Sequence, residues 1–585
     1  MPLGTVKNFI LFKQYVGCEE NFLMNWIDNS PPSNSLVSTK AGLELSLPSQ
    51  TVNAAGAGRT GGKMRERLIG IDAGGTMTKV VLFDLAGNEL GCERQPNIML
   101  LPHQGWTERD PERMWSATCL SIRNLLEKTG TDPADVVAVA PSGYGGGVYL
   151  VERDGTPVRN GLVSTDTRSI PIIEAWAASG LGRQVSSLIE QQIWPGQTLA
   201  ILAWMKAHEP STFERTAHVL SCKDFLRMRL CGDISTDPTD AGCAGILNVS
   251  RSQVSREAFV ATAMTGWYGK LAPVASSTEI AGKVSADAAR ATGLKAGTPV
   301  VRGVYDVVGC ALATGVAQSR QLAAVAGTFS IHSTLHRKPA LNPLPTIQTP
   351  YPVDGQILAT IATPTSASNL EWFCKTVMTA DAEQAEKDGR SVYDVCNQMV
   401  QQTLEKDSRI HFFPFLYDGP RGAPAGFAGL TASTTKADLL RAIFEGVVFA
   451  HRTDLTYLLT GPDAARPDVI RLAGGPSRSA VWTQMFADGL GLPIEIANGG
   501  ELGAKGGAIC AAVAIGAYSD VPDAMRHMVK VERRFEPEPR RAAALASKYK
   551  DYIRAIETSV QAWSKSRGAD SGEFADVIPQ KVSAA

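Results

Sequence analysis

The chain has 585 residues, more than one hydrophobic core usually supports, so we expect roughly two to four domains. Its 57 basic and 58 acidic residues give a formal net charge of −1, which argues against a nucleic-acid-binding surface or a polybasic membrane anchor and favours a small-molecule partner. The ten cysteines form no C-x-x-C pair, a pattern typical of reduced thiols in a cytoplasmic protein rather than of a disulfide framework or a zinc site.

Residues 1–63 have a composition of their own. The stretches 29–42 and 51–62 are rich in Ser, Asn, Pro, Gly and Ala, which is typical of segments that do not fold alone. Met64 stands directly before the first well-formed strand pattern. We therefore interpret residues 1–63 as a disordered or non-native extension and leave them out of the fold.

An α/β pattern follows the extension. The stretch LIGIDAGGTMTKVVLFD (68–84) predicts strand, turn and strand, and a buried strand is predicted over 135–143. Between them lies an amphipathic helix. Asp110 and the proline after it occupy the usual N-cap and first helical positions, and Gly130 ends the helix.

The same order of elements returns in the second half. Residues 322–334 predict strand, Gly-Thr turn and strand, residues 437–459 a long amphipathic helix, and residues 469–477 the next strand. The chain is therefore expected to contain two similar α/β halves. The apolar stretch 506–518 is shorter than the roughly 20 residues that cross a bilayer, so it is predicted to be a buried helix rather than a membrane anchor.

Each half places glycine and hydroxyl side chains at the tip of its predicted hairpin. Glycine lets backbone N–H groups approach an anion, and a hydroxyl can donate to phosphate oxygens. Neither turn has the spacing of a P-loop or opens a helix in the manner of a dinucleotide-binding fold. Because a triphosphate between two lobes needs a grip from both sides, the two turns together predict ATP binding by Gly74, Gly75, Thr76, Thr78, Gly327 and Thr328.

A third glycine turn comes at the end of the strand predicted over 469–477. Its glycines would let the flat adenine ring lie against the backbone, so we predict ATP contacts from Gly474, Gly475, Pro476 and Ser477. A plain strand-to-helix loop would explain the same residues, and this stretch alone leaves both interpretations open.

Two aspartates are candidates for the chemistry. Asp306 lies within 298–317, where an apolar strand runs into a helix. It is either a helix N-cap or the base that accepts a proton from a substrate hydroxyl as that hydroxyl attacks the γ-phosphate. Asp72 lies at the end of the first predicted strand, and we interpret it as the carboxylate that holds Mg²⁺, usually through water.

The order of these motifs resembles that of the FGGY family of carbohydrate kinases, members of the actin, hexokinase and Hsp70 superfamily. The resemblance runs from near Leu68 to near Tyr552. Its segments are GIDAGGTMTK (70–79), GWTERDPERMW (105–115), STDTR (164–168), STDPTDAG (235–242), GVYDVVGCALATG (303–315), AGTFS (326–330), AIFEGVVFA (442–450) and AGGPSRSAVWTQMFAD (473–488).

The family resemblance implies an architecture and a reaction. The fold would be two ribonuclease-H-like α/β lobes with ATP and sugar in the cleft between them, with Asp306 as the catalytic base and Asp72 serving Mg²⁺. The first lobe would span 64–316 and hold the sugar, the first phosphate hairpin and the catalytic aspartate. The second lobe would span 317–535 and bind most of the ATP, and 536–585 would form a C-terminal helix and a polar tail.

Two stretches narrow the resemblance to bacterial L-xylulose and xylulose kinases, namely ATPTSASNLEWFCK (362–375) and HFFPFLYDGP (411–420). They imply transfer of phosphate from ATP to a terminal hydroxyl of a ketopentose, which gives the sugar phosphate and ADP. The substrate contacts implied by the resemblance are Trp106, Ser142, Gly143, Tyr144, Asp166, Arg168 and Asp306.

Two other stretches depart from the family pattern. SGYGGG (142–147) lacks the His or Gln that other members use to hydrogen-bond the sugar, so Gly145 and Gly146 are expected to leave a roomier or a differently filled pocket. In ELGAKGGAI (501–509), Lys505 stands in a run that is more often Gly-Ala-Leu-Gly-Ala, and we interpret it as a solvated helix residue.

The sequence leaves alternatives open. An erythritol or other polyol kinase of the same family fits the same motifs. A non-catalytic ATP-binding conformational module is a different class. The chaperones of this superfamily need a separate peptide-binding domain, for which residues 541–585 are too few. We therefore expect a kinase with ATP and Mg²⁺, a small-molecule sugar or polyol substrate, no nucleic-acid or membrane partner, and a homodimer as one option for its assembly.

Overall fold

A computed structural model of the chain describes residues 65–566 apart from 418 and 461–465. The predicted extension over 1–63 lies outside the described residues, as does the predicted polar tail after residue 566. No helix in the described part is both long and apolar enough to cross a membrane.

The strands before residue 317 are β1 (Arg67–Ala73), β2 (Met77–Asp84), β3 (Glu89–Pro96), β4 (Glu108–Arg109), β5 (Val136–Gly143), β6 (Tyr149–Val151), β7 (Gly161–Leu162), β8 (His218–Leu220), β9 (Leu247–Asn248), β10 (Gln253–Val254), β11 (Ile280–Lys283), β12 (Pro299–Val301) and β13 (Val304–Tyr305). The later strands are β14 (Gln321–Ala326), β15 (Ser330–His336), β16 (Ile347–Pro350), β17 (Ile357–Thr363), β18 (His411–Phe413), β19 (Gly426–Ala428), β20 (Val469–Gly474), β21 (Ile494–Ala497) and β22 (Val531–Phe535).

The helices before residue 317 are α1 (Pro111–Thr129), α2 (Ile170–Ser179), α3 (Leu181–Ile189), α4 (Thr198–His208), α5 (Pro210–Arg215), α6 (Cys222–Cys231), α7 (Pro238–Cys243), α8 (Arg256–Ala261), α9 (Thr265–Tyr268), α10 (Ala286–Thr292) and α11 (Asp306–Ala313). The later helices are α12 (Ser368–Val377), α13 (Thr379–Lys387), α14 (Val392–Gln401), α15 (Lys436–Leu458), α16 (Ala480–Leu490), α17 (Leu502–Ala514), α18 (Val521–Met528) and α19 (Pro539–Ser566).

The local signals for α1 are confirmed. The Asp110 side chain accepts two backbone N–H groups of the first helical turn, and Gly130 ends the helix in the left-handed region with φ 60°. A residue with a Cβ adopts that conformation only with strain, which is why glycine is favoured there.

The first sheet has seven strands in the order β11-β12-β5-β1-β2-β3, with β13 also pairing with β5. Strands β1 and β2 form an antiparallel hairpin. After α1 the chain returns in β5, which pairs with β1 in parallel, and β12 pairs with β5 in parallel. The carboxyl ends of β1, β5 and β13 therefore meet at one edge, where ligands bind in open α/β sheets.

The second sheet repeats this plan with seven strands in the order β16-β17-β15-β14-β20-β21-β22. Strands β14 and β15 form the antiparallel hairpin, and β20 pairs with β14 in parallel after α15. The predicted α/β fold with two similar halves is thus confirmed. We call the elements around the first sheet the first lobe and those around the second sheet the second lobe.

Each lobe has its own apolar core, and a further core lies between the lobes. In the second lobe, α19 buries Tyr549, Tyr552 and Val560 against the other helices. Between the lobes, α11 and α17 pack with Phe83 of β2 and Leu335 of β15. Burial of this apolar surface from both sheets holds the lobes together around the two helices.

Helix α17 lies between β21 and β22 of the second sheet in the chain but packs on the first sheet, and glycine makes this close approach possible. A Cβ on Gly506 would stand 2.2 Å from Cα of Gly309 in α11, and one on Gly70 of β1 would stand 2.1 Å from the Ala504 carbonyl oxygen. A Cβ on Gly507 would stand 2.9 Å from the Ala140 carbonyl oxygen of β5. The backbone of α17 therefore touches the backbones of α11, β1 and β5 without intervening side chains.

The interpretation of Lys505 as a solvated residue is wrong. Its side chain is fully buried, and Nζ donates to the backbone oxygen and to Oδ1 of Asn498 at 3.0 and 2.8 Å. Burial lowers the pKa of Lys505 to about 8. Helix α17 is buried on most of its surface because it lies between the lobes, so its periodicity gave no exposed face to recognise.

We expect Gly506→Ala to destabilise the protein by about 1–3 kcal/mol or more, because the new methyl group would overlap backbone atoms of α11. Helix propensity acts in the opposite direction, since alanine is favoured over glycine by only about 1 kcal/mol. Denaturant unfolding with Gly269→Ala as the matched control tests this, because a Cβ there makes an ordinary 3.6 Å contact. Equal stability of the two variants would contradict the close helix crossing.

Candidate active site

Two aspartates lie at the shared edge of the first sheet. In the parallel pairing of β1 with β5, Asp72 is opposite Ser142, and Ser142 is opposite Val304 of β13 on its other side. Asp306 follows β13 directly as the first residue of α11. Two strand spacings separate Asp72 from this end of β13, about 10 Å. The structure thus brings together the two carboxylates to which the sequence assigned the chemistry.

Asp72 is buried beneath the N-terminus of α17. A Cβ on Gly503 would stand 2.7 Å from the Asp72 carboxyl carbon, so only glycine fits at this position of the helix. Oδ1 of Asp72 has no hydrogen-bond partner among the described residues, and Oδ2 lies 3.8 Å from Nζ of Lys79. Burial raises the pKa of Asp72, Lys79 opposes that rise, and Glu501 adds to it.

Asp306 begins α11 but is not its N-cap. Tyr305 occupies the N-cap position, and no side chain caps the helix. The pKa of Asp306 is raised to about 7, mainly by burial and then by the charge of Asp72, with a smaller contribution from Asp240. The Val307 N–H and Lys79 act in the opposite direction. A carboxylate with a pKa near neutrality suits proton transfer at physiological pH.

A buried charge cluster anchors the residue before Asp306. Nζ of Lys223 lies 2.9 Å from Oδ1 of Asp237, which also accepts the Thr239 hydroxyl at 2.7 Å through Oδ2. Oγ1 of Thr239 accepts the Tyr305 N–H at 2.9 Å. The segment STDPTDAG, which contains Asp237 and Thr239, is therefore connected to the start of α11.

Lys79 connects the first hairpin to the beginning of α17. Its Nζ lies 2.9 Å from Oε2 of Glu501, and Oε1 of Glu501 lies 2.6 Å from Nη2 of Arg94. Oε1 of Glu89 accepts the N–H groups of Gly500 and Glu501 at 2.8 and 2.9 Å. Sequence reasoning missed this group, because its members are hundreds of residues apart and charged residues on a strand edge usually face solvent.

The first glycine turn follows β1 directly. Thr76 is exposed at its tip, whereas Thr78 is fully buried. The Thr78 hydroxyl donates to Oδ1 of Asn97 at 2.9 Å and accepts from Nη2 of Arg109 at 2.8 Å. This placement is compatible with phosphate contacts from Gly74, Gly75 and Thr76. The Thr78 hydroxyl is instead buried and hydrogen-bonded to Asn97 and Arg109, away from the surface of the turn.

The second and third glycine turns are neighbours in the second lobe. Ala326, which precedes Gly327, pairs with Gly474 across the parallel strands β14 and β20. Gly474 has φ 94°, and a Cβ there would stand 2.2 Å from the Ala326 carbonyl oxygen. A Cβ on Gly475 would meet open space. The turn residues Gly327, Thr328, Gly474 and Gly475 therefore share one edge of the second sheet.

The other residues of the third turn serve its conformation. Pro476 is buried, and the Ser477 hydroxyl donates to the Gly474 carbonyl oxygen at 2.7 Å. A short 3₁₀-helix over Gly475–Arg478 leads from β20 towards α16. Gly475 is exposed and has open space above its Cα, whereas Pro476 is buried.

The residues predicted to contact sugar fall into two groups. Ser142 and Gly143 end β5 beside Asp72 and Tyr305, and Tyr144 follows them with its hydroxyl 2.8 Å from that of Tyr149. Ser142 donates to the Ile71 carbonyl oxygen at 3.2 Å. This first group adjoins the candidate base.

The second group is Trp106, Asp166 and Arg168, which contact one another. Asp166 accepts the Thr107 N–H at 2.7 Å and the Arg168 guanidinium at 2.9 Å. The Arg168 guanidinium lies 4.1 Å from the Trp106 ring centroid and 2.8 Å from Oε1 of Glu108. The side chains of Asp166 and Arg168 are fully buried. Their position favours a role in holding the 105–109 segment over direct contact with a ligand.

The expectation of a roomier pocket at the SGYGGG stretch is wrong, and its alternative of a differently filled pocket fits. A Cβ on Gly145 would stand 2.5 Å from Sγ of Cys243 and 2.7 Å from Cδ2 of Tyr305. A Cβ on Gly146 would stand 2.5 Å from the Trp194 ring. The glycines therefore admit large neighbouring side chains instead of leaving space.

Known protein families match both halves of the chain. Residues 67–313 match the N-terminal domain of the FGGY family of carbohydrate kinases, and residues 322–515 match the C-terminal domain of the same family.

Two relatives are similar over most of their length. L-xylulose/3-keto-L-gulonate kinase of Escherichia coli (strain K12) is 34% identical over 498 residues, which cover 84% of this chain and 96% of the relative. Probable L-xylulose kinase of Pasteurella multocida (strain Pm70) is 33% identical over 488 residues, which cover 83% of this chain and 97% of the relative.

Solved structures share the fold. The xylulose kinase of Rhodospirillum rubrum superposes with a TM-score of 0.74 at 23% identity, covering 84% of this chain and 99% of that one. The gluconate kinase of Lactobacillus acidophilus gives a TM-score of 0.75 at 20% identity, covering 86% and 99%. At these identities the likeness shows the two-lobe architecture alone.

We expect the raised pKa of Asp306 to make folding stability depend on pH. A carboxyl with a raised folded pKa favours folding when protonated, so its contribution is complete below pH 4 and is lost as pH rises through about 7. Relative to Asp306→Asn, the ligand-free wild type should lose about 3 kcal/mol of unfolding free energy between pH 5 and 8.5. Denaturant unfolding of both proteins across this range measures the difference, and parallel pH profiles would contradict it.

Proposed function

The chain belongs to the FGGY family of carbohydrate kinases, and from that premise we propose that it transfers the γ-phosphoryl group of ATP to a terminal hydroxyl of a ketopentose of the L-xylulose or xylulose type. Relatives named as L-xylulose kinases match it at 33% and 34% identity over nearly their whole length, which supports this substrate class. The observation that carries the proposal is the placement of Asp72 and Asp306 at one sheet edge, beside the first glycine turn.

We assign the role of base to Asp306. It would accept the proton of the sugar hydroxyl as the hydroxyl oxygen attacks the γ-phosphorus, while the bond from that phosphorus to the bridging oxygen of ADP breaks. Its pKa near 7 favours proton acceptance at neutral pH. Its position at the N-terminus of α11 stabilises the ionised form that must be present before the attack.

ATP is the second substrate, and we assign its phosphates to the first and second glycine turns. Gly74, Gly75 and Thr76 offer backbone N–H groups and one exposed hydroxyl from the first lobe. From the second lobe, Thr328 offers its backbone N–H and an exposed hydroxyl, whereas the Gly327 N–H donates to the Phe329 carbonyl oxygen at 3.1 Å and Gly327 contributes a turn without a side chain. The open space above Gly475 suits adenine. Because the phosphate contacts come from both lobes, closure of the cleft would align the phosphates with Asp306 and exclude water.

We assign Mg²⁺ to Asp72. The buried Oδ1 of Asp72 has no hydrogen-bond partner among the described residues, and a carboxylate oxygen is a ligand that Mg²⁺ prefers. One carboxylate suits this ion, which keeps several waters and takes its other ligands from substrate phosphates. When bound, it supplies positive charge that offsets the charge of the phosphates.

We place the sugar beside Ser142, Gly143, Tyr144 and Asp306. Asp166 and Arg168, with Trp106, would keep the neighbouring 105–109 segment in place. The lobe limits at 64–316 and 317–535, a cytoplasmic setting and a homodimer stay predictions from the sequence.

The relatives do not favour the two alternatives. An erythritol or other polyol kinase would use the same base and the same turns, so only its acceptor differs. A non-catalytic ATP-binding module would not require a carboxylate with a pKa near 7 at the start of α11. The acceptor is therefore the point that an experiment has to decide.

A coupled assay of ADP release should show turnover with a ketopentose. The panel contains both enantiomers of xylulose and ribulose, 3-keto-L-gulonate, erythritol, pentitols and glycerol, each with ATP and Mg²⁺. We expect the highest kcat/KM for a xylulose enantiomer, because the similar relatives are L-xylulose kinases. A preference for erythritol would replace the ketopentose by a polyol, and no turnover with any acceptor would favour the non-catalytic module.

Substitution should separate the roles of the two aspartates. Asp306→Asn keeps the shape but removes the basic oxygen, so kcat should fall about 10² to 10⁴ fold with little change in ATP and sugar binding. Asp72→Asn should instead raise the Mg²⁺ concentration required for half-maximal rate.

Steady-state kinetics with Mg²⁺ titrations measure both effects. Asp488→Asn, at a buried aspartate of the second lobe, is the matched control and should leave all constants unchanged. Near-normal kcat in Asp306→Asn would remove Asp306 from the reaction.

A further inference from the structure

The carbonyl groups of the first glycine turn all face one residue. Nδ2 of Asn97 donates to the carbonyl oxygens of Gly74 at 2.7 Å and of Gly75 at 3.1 Å. The backbone N–H of Asn97 donates to the carbonyl oxygen of Thr76 at 2.8 Å. Asn97 directly follows strand β3, so the edge of the first sheet supplies this anchor.

Peptide geometry then determines where the amide groups of the turn point. In a planar trans peptide, the carbonyl of one residue and the N–H of the next point in opposite directions. Because the Gly74 and Gly75 carbonyls face Asn97, the N–H groups of Gly75 and Thr76 face away from it. Thr76 is exposed at the tip, so we infer that these donors reach the solvent side of the turn, where an anion can bind.

Arg109 determines the orientation of the Asn97 side chain. Arg109 of β4 is almost fully buried, and its guanidinium donates to Oδ1 of Asn97 and, at 2.8 Å, to Oγ1 of Thr78. A guanidinium can only donate, so the carbonyl end of the Asn97 amide must face Arg109. The NH₂ end must then face the turn. The Thr78 hydroxyl completes the network by donating to Oδ1 of Asn97 at 2.9 Å.

Arg109 also brings a positive charge behind the turn. Its Nη1 lies 3.4 Å from the Gly74 carbonyl oxygen and 3.9 Å from Sγ of Cys222. Among the described residues, its partners are neutral groups, and no aspartate or glutamate forms an ion pair with it. A buried cation without a carboxylate partner is costly. An anion bound at the turn would compensate this charge.

The second glycine turn is held in a similar way by neutral groups. The Ala367 N–H donates to the Gly327 carbonyl oxygen at 2.9 Å, and the Ser368 hydroxyl donates to the Thr328 carbonyl oxygen at 3.2 Å. Both turns therefore have their carbonyl groups anchored by protein donors. The buried charge behind the first turn distinguishes it from this arrangement.

We propose that Asn97 and Arg109 are positioning residues for the nucleotide phosphates. Asn97 turns the amide groups of the first turn towards the phosphates, and Arg109 fixes Asn97 and adds positive charge behind the turn. Neither residue needs to touch the nucleotide. The proposal rests on the proposed function, because it requires that the first turn binds the polyphosphate of ATP.

Binding measurements on the whole protein without sugar test this proposal. Isothermal titration of ATP, ADP and adenosine, each with Mg²⁺, separates the phosphate contribution from the contribution of the base and ribose. For Asn97→Ala and Arg109→Lys we expect ATP affinity to fall on the order of 10 to 100 fold, with adenosine affinity unchanged within about twofold. Arg109→Lys keeps the charge but loses the planar fork, so it tests the orientation of Asn97.

The matched control is Arg441→Lys. Arg441 is a mostly buried arginine of the second lobe that donates to the backbone oxygens of Thr403 and Lys406 at 2.5 and 2.6 Å. It should reproduce any general cost of changing a buried arginine while leaving the ratio of ATP to adenosine affinity unchanged. Thermal unfolding shows whether each variant is folded. If Arg109→Lys does not fold, the ratio of ATP to adenosine affinity in Asn97→Ala decides the test.

The outcomes distinguish this proposal from the proposed function. Wild-type binding of ATP together with an unchanged ATP to adenosine ratio in the folded variants would overturn the positioning role. An equal loss of ATP and adenosine affinity would also overturn it, because a general structural defect would explain that result. Absence of ATP binding by the wild type would instead overturn the proposed function itself.

Discussion

The close crossing of α11 and α17 on the first sheet is the constraint on which the site depends. Glycine at Gly70, Gly309 and Gly506 lets three backbones approach without side chains between them. Because α17 lies directly on β1, its N-terminus reaches Asp72. Because α11 packs against α17, the start of α11, and with it Asp306, lies at the same edge of the sheet. The two carboxylates are therefore positioned by main-chain packing, which deforms less easily than contacts between long side chains.

The electrostatics of this edge follow from the same packing. Burial raises the pKa of both acids. The charge of Asp72 raises the pKa of Asp306 further, and the charge of Glu501 raises the pKa of Asp72 further. Lys79 and the helix N-termini offset part of that cost. A carboxylate that stays partly protonated near pH 7 can gain and lose a proton in the working range, whereas a fully solvated aspartate is a weaker base.

Buried networks of charged and polar groups support the loops around this edge. Lys223, Asp237 and Thr239 connect one loop to the Tyr305 N–H, and Asp166 with Arg168 connects another to the Thr107 N–H. Breaking a buried hydrogen bond leaves its polar groups without water, so the bonds to the Tyr305 and Thr107 N–H groups favour one arrangement of each loop. The first lobe therefore offers a rigid frame against which the second lobe can close.

The sequence by itself determined the features that depend on neighbours in the chain. The limits of α1 follow from Asp110 and Gly130, and the two hairpins follow from alternating apolar runs around glycine turns, since caps and turns are settled within a few residues. The repeated order of elements was enough to predict two similar α/β halves. Asp72 and Asp306 were recognisable because each stands where a strand ends.

Only the tertiary structure decided what surrounds those residues. Lys505 is buried because α17 lies between two lobes. Tyr305 and Trp194 occupy the space beside the glycines of SGYGGG, and the Thr78 hydroxyl is hydrogen-bonded to Asn97 and Arg109. Each of these contacts joins segments that are distant in the chain. A single sequence shows residue types and local periodicity but not which distant side chain occupies a given space, so burial and hydrogen-bond partners at the site were settled only when the sheets and helices packed together.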